Sequence, residues 1–183
     1  MLFSLAACSG AKVLETADGE SRPKWVSTTK TSWKEGEKMF WIGYVSVDGA
    51  SSPSAALNMA DLKATSSPGA AIADEFMDQN ALGEDLRDAT GKRLISSLRK
   101  RALPLGVQIV GRYWERVAIP SGNGGPDRVE LRAFALAEAQ VHEFEAAKSE
   151  GVRRLRGDPE IKKELEEITK AQRETERKPA SAQ

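Results

Sequence analysis

Met39-Phe40-Trp41-Ile42-Gly43-Tyr44-Val45-Ser46-Val47 decides the fold. Aromatic and β-branched side chains fill this run and Asp48-Gly49 closes it, so it reads as a β-strand ended by a turn. Met39, Trp41, Val45 and Val47 fall on one face at period two, and Phe40, Ile42 and Tyr44 on the other. A strand apolar on both faces belongs inside a sheet that is covered on both sides. Gly43, at its centre, predicts either a close backbone approach or a bulge.

Downstream, Ser52 and Pro53 supply an N-cap and a first helical position. Ala56, Met59, Ala60, Lys63 and Ala64 then recur at helical spacing. Ser66-Ser67-Pro68-Gly69 predicts the end of that helix, and a shorter one restarts from Ala70 to Met77. A further helix is expected from about Glu84 to Arg101, its basic last turn Arg99-Lys100-Arg101 complementing the helix dipole. After the breaker Leu103-Pro104-Leu105-Gly106 comes the run Val107 to Ile119. Val107, Ile109, Tyr113, Val117 and Ile119 share one face, and Gln108, Arg112, Trp114 and Arg116 the other. Ser121-Gly122-Asn123-Gly124-Gly125-Pro126 joins this run to Val129–Ala137 as a hairpin with a long loop. The loop neither follows a βα order nor opens a helix, which argues against a phosphate cradle.

Upstream, Trp25 and Trp33 flank Ser27–Ser32, whose Ser/Thr content suits a loop or an edge strand. Ser9 to Arg22 is small, polar and without period, and reads as a flexible tether spanning roughly 20 Å. From about Glu138 to Arg177 the chain is helical and charged, divided at Gly151 and Gly157. Asp158-Pro159-Glu160 restarts a helix whose Ile161, Leu165 and Ile168 form a short apolar stripe. Lys178–Gln183 reads as disordered. The expected fold is therefore α/β in the α+β sense: a small, mostly antiparallel sheet of about three strands covered by helices. Its segments are a signal remnant (1–7), a lipidated tether (8–22), the domain (23–140) and a charged helical tail (141–183).

Composition narrows the function classes. The 183 residues carry 27 Lys+Arg against 27 Asp+Glu, so no global basic field speaks for nucleic-acid binding. His142 is the single histidine, which excludes a multi-histidine metal site and leaves any Ser-His-Asp arrangement dependent on it. Asp74, Glu75 and Asp78 share a helix and read as a solvated acidic face. No enzyme activity, metal or cofactor is expected. Trp33, Trp41 and Trp114 are candidate interface residues, because large aromatics are enriched at binding hot spots.

Met1-Leu2-Phe3-Ser4-Leu5-Ala6-Ala7-Cys8 is an apolar run with small residues beside the only cysteine. It resembles the lipobox of bacterial lipoproteins, which implies acyl chains such as palmitate on a glyceride at Cys8 and on the new N-terminus. Two or more such chains anchor a protein stably. Only seven residues precede Cys8 and none is charged, so a complete signal extends upstream or has been trimmed. Ser9 resembles the residue that follows the cysteine in lipoproteins sorted to the outer membrane. With Pro23-x-Trp25-Val26, the strand carrying Ile42-Gly43, the alanine-spaced helices and the hairpin Val107–Ala137, the chain from Cys8 to Phe144 resembles the LPP-twenty type of bacterial lipoprotein. Flagellar basal-disk lipoproteins belong to that group. The resemblance implies a non-enzymatic, periplasm-facing envelope protein that self-associates or contacts another envelope protein. The alternative is a periplasmic binding or activator module engaging an envelope protein or peptidoglycan.

Overall fold

The computed structural model describes residues 11–17, 21–80, 89–101, 106–122 and 125–177. Met1–Cys8, Ser9, the helix start at Glu84, the side chains of Arg99, Lys100 and Arg101, and Lys178–Gln183 lie outside that description. In chain order the elements are β1 (Lys12–Thr16), β2 (Ser32–Glu35), β3 (Lys38–Asp48), α1 (Pro53–Gln79), α2 (Ala89–Arg101), β4 (Gln108–Ile119), β5 (Arg128–Gln140), α3 (Val141–Gly157) and α4 (Pro159–Arg177). The strands form one sheet in the order β1-β4-β5-β3-β2. β1 pairs with β4, β2 with β3 and β4 with β5, all antiparallel, and the contacts Lys38 to Glu138 and Ser46 to Glu130 run antiparallel between β3 and β5 as well.

The sheet thus has five strands rather than about three. Both additional strands are short edges, where one rim faces solvent and no apolar alternation is required. β1 occupies part of the segment expected to be a flexible tether; it pairs Lys12 with Ala118 and Thr16 with Glu115. β2 is joined to β3 by a tight turn in which Gly36 adopts φ 58°, a left-handed conformation that glycine adopts at no steric cost.

The chain divides into two compact units, each assembled from separated stretches. One contains the described residues up to Thr65 together with Val107–Ala139, and the other contains Ser66–Gly106 and the residues from Gln140 onward. The division between Ala139 and Gln140 lies at the expected boundary, but Ser66–Gly106, expected in the domain 23–140, belongs with the C-terminal helices.

In the first unit, α1 up to Thr65 lies on one face of the sheet. Ala56, Ala60 and Ala64 pack against Val45 of β3 and Leu131, Ala133, Ala135 and Ala137 of β5. Small residues on both surfaces let the layers come close. At Gly43 a Cβ would overlap the Ala60 carbonyl oxygen and stand 2.5 Å from the Ala64 nitrogen, so the expected close approach is what the glycine serves. Arg112 of β4 fastens the same layer, its guanidinium donating to both oxygens of Asp61 at 3.0 Å.

In the second unit, Ile72, Ala73 and Phe76 of α1 form a core with Leu94 and Leu98 of α2, Val152 and Leu155 of α3, and Ile161 and Ile168 of α4. The Ile161/Leu165/Ile168 stripe is therefore a docked helix face. Asp158 caps α4 as expected, its Oδ1 accepting from the Glu160 and Ile161 N–H groups at 2.9 and 3.3 Å. Two expectations are corrected. Gly151 lies inside α3, facing Ile72, and does not divide the tail. Ser66–Gly69 does not end a helix: α1 is continuous over 27 residues with Pro68 inside it and fully buried. Proline in a helix interior costs about 3 kcal/mol, which burial of Pro68 and the following Ile72, Ala73 and Phe76 offsets. The break signal marks where the chain passes from one unit to the other.

The two glycines predict different costs. Gly43→Ala meets backbone atoms that cannot step aside, and should lower stability by about 3 kcal/mol. Gly151→Ala meets the Ile72 Cγ2 methyl at 2.6 Å, so the buried Ile72 side chain must give way, but the substitution gains about 1 kcal/mol of helix propensity. Its net cost should be about 1 kcal/mol, and urea denaturation midpoints of the two variants check the order.

Candidate functional site

The face of the sheet away from α1 carries the functional geometry. On β5, Arg132 and Phe134 alternate with the alanines and point to this side, where Phe134 joins Tyr113 of β4 and Val26 in a small buried cluster. Val26 comes from a 3₁₀ turn, Lys24–Ser27, closed by its N–H donating to the Pro23 carbonyl at 3.0 Å. Trp25 of the same turn lies against Gly111, where a Cβ would stand 3.3 Å from the indole. Pro23-Lys24-Trp25-Val26 is thus a clasp that folds the N-terminal segment over the sheet.

The clasp delivers Arg22 to a buried carboxylate. Glu115 is 1% exposed, and its Oε1 is 3.3 Å from the Arg22 guanidinium while its Oε2 accepts from the Tyr113 hydroxyl at 3.4 Å. A carboxylate taken out of water is costly unless paired and hydrogen-bonded, so Arg22 and Tyr113 stabilise it jointly. Burial, reinforced by the Glu115 charge and the hydrogen bond to it, raises the Tyr113 phenol above its ordinary pKa of 10.0. Arg22 also lies 5.9 Å above the Phe134 ring.

Beside this group opens a cavity of about 290 Å³. Arg22, Lys30 and Arg132 supply its cations, Thr28, Thr29 and Thr31 its hydroxyls, and Val26, Ile42, Tyr44 and Phe134 its apolar surface. Tyr44 and Phe134 lean together with centroids 5.0 Å apart and planes at 37°. No carboxylate lines it among the described residues.

The three candidate tryptophans do not form one surface. Trp33 stacks on Phe40 at 5.2 Å and 17° across the β2–β3 pair. Trp41 is only 2% exposed, a core residue of β3. Trp114, half-buried, packs with the α1 layer, and the Arg116 guanidinium lies 5.5 Å from its ring. Cys8 lies outside the described residues. His142 is exposed in the first turn of α3, and Asp74 and Asp78 are exposed on α1. The glycine-rich loop joins β4 to β5, with Ser121 Oγ donating to the Gly125 carbonyl at 2.5 Å; Asn123 and Gly124 lie outside the described residues.

Glu115, Tyr113 and Arg22 escape a reading of site residues from sequence, yet one signal was present. Glu115 follows Tyr113 and precedes Val117 at period two, which puts a charge on an apolar strand face. Ile109 is assigned to the wrong face by the same alternation, because a register shift between Ile109 and Gly111 turns it to the Trp114 side.

Comparison with protein-family models, curated proteins and solved structures finds no match to this chain.

Tyr113 makes the alkaline limit of stability testable. Its folded-state pKa is raised above the unfolded value, so the native state holds the proton longer. The contribution is complete below about pH 10 and is lost as pH rises through the folded pKa. Urea midpoints at pH 9 and 11 should fall less in Tyr113→Phe than in the wild type.

Proposed function

We propose that this chain is a non-enzymatic envelope lipoprotein, anchored through lipidated Cys8 in the outer membrane and facing the periplasm, with a structural or assembly role. The observation that carries the assembly reading is β1. It is an outer strand of the sheet, and Val13 and Leu14 are 47% and 52% exposed on it. Edge strands offer unpaired backbone groups to another chain, and apolar side chains on such an edge favour that addition. The partner is a second copy of this chain or another envelope protein.

The lipobox resemblance and β1 bear on each other. Only four residue steps separate Cys8 from Lys12, a reach of at most about 14 Å. An acylated Cys8 therefore holds the β1 edge near the headgroups, where anchored copies share a two-dimensional layer at raised effective concentration. Among the described residues no helix is long and apolar enough to cross a membrane.

Two variants separate anchor from assembly when the chain is expressed behind a complete export signal. Cys8→Ala should move the protein from the membrane to the soluble fraction with its urea midpoint unchanged; retention on membranes in high salt counts against lipid anchoring. Leu14→Lys should leave it membrane-bound but lower its mass in light scattering of detergent extracts. A wild type that is monomeric at every concentration counts against assembly through β1.

A further inference from the structure

We infer that the cavity beside Glu115 binds a small organic carboxylate with an apolar, ring-sized body. This assignment is independent of lipidation and of assembly through β1. Its first ground is charge. Arg22, Lys30 and Arg132 reach the cavity from three separate stretches of chain, and no carboxylate lines it among the described residues. The nearby acids sit behind the lining: Glu115 is buried against Arg22, and Glu130 takes Arg132 only through 3.4 Å contacts while also pairing with Arg128. Among the described residues the Lys30 amine has no ion-pair partner. The cavity therefore presents net positive charge to whatever enters it.

The second ground is shape and surface. Phe134 and Tyr44 form an aromatic wall, in which Phe134 is buried and Tyr44 is 42% exposed. About 290 Å³ suits a ring with a short anionic arm, at the small end of ligand cavities. Aromatic walls favour an offset or tilted ring, and guanidinium groups match the planar fork of a carboxylate.

The third ground is that the cationic rim is held in place. The Lys30 N–H donates to Thr28 Oγ1 at 3.2 Å, and the Ile42 N–H donates to the Thr31 carbonyl at 2.9 Å. These bonds tie the 28–31 loop to itself and to β3. Less ordering is then left to be done on binding.

The test is an amide-resolved NMR titration of the full, unlipidated chain with N-acetyl-phenylalanine, its neutral amide, and inorganic phosphate. With roughly 15 non-hydrogen atoms, the acid should bind at about millimolar or tighter. Its shifts should centre on Thr31, Ile42 and Phe134. Lys30→Gln, at an exposed position, should weaken the acid by about three- to fivefold and leave the amide unchanged. Adding Arg132→Gln should weaken it further. Equal binding of acid and amide, equal binding of phosphate alone, shifts centred elsewhere, or no saturation of the acid would each overturn the assignment. Two further probes, Ala-Ala-Phe and its C-terminal amide, separate the sources of the carboxylate. A tripeptide acid that binds more tightly than N-acetyl-phenylalanine, with its amide weaker, assigns the site to peptide C-termini; a weaker tripeptide acid assigns it to free small acids.

Discussion

The fit of α1 onto the sheet at Gly43 is the constraint on which the first unit depends. Alanines at 56, 60 and 64 meet alanines at 133, 135 and 137, so little side-chain volume separates helix from sheet. Such a layer gains less apolar area per residue than one built from leucines, and depends on close contact over its whole length. It leaves no slack for even one methyl group at Gly43. Trp114 packs with the α1 layer, while Tyr113, Phe134, Trp25 and Val26 gather on the opposite face. There they need a second cover, which the N-terminal clasp supplies, and the clasp carries in Arg22 for the buried Glu115. The thin helix layer and the aromatic pocket are two sides of one distribution of volume.

What was legible in the sequence follows from how each signal arises. β3 declares itself because aromatic and β-branched side chains fill it, although only the face carrying Trp41 and Val45 is buried and Tyr44 on the other is exposed; Asp158-Pro159 declares α4 because capping is a local matter of one side chain and two N–H groups. β1 and β2 do not, since a strand with one rim in solvent can be made of Lys12-Val13-Leu14-Glu15-Thr16 or Ser32-Trp33-Lys34-Glu35. Pro68 misleads because local rules assume an exposed helix, whereas here the core around Ile72 and Phe76 outweighs the lost backbone bond. The cavity was beyond reach. Its lining is gathered from residues 22 to 134, and only Glu115 on an apolar strand face hinted that a buried polar group had to be satisfied there.

The balanced charge count conceals a local order. In the first unit, charges connect layers and strands: Arg112 to Asp61, Arg116 to Glu15, Lys38 to Glu138. On α3 they are spent within one helix, where Arg154 and Arg153 converge on Glu150 and hold its carboxyl below the ordinary range. Exposed pairs of this second kind contribute little to stability. Among the described residues the Lys30 amine, in the pocket lining, belongs to neither pattern.

The pairing of Lys12 with Ala118 has a consequence for the order of events during synthesis. β1, the first of the described strands, has no neighbour until about a hundred further residues have followed it, and contacts of such sequence separation form late. During that interval Val13 and Leu14 belong to an unprotected nascent segment, and so does the residue destined for Glu115, Arg22. The sheet closes only when the β4–β5 hairpin arrives, and that hairpin settles between β1 and β3. Refolding from dilution removes that wait, because β4 and β5 are then available to β1 from the start.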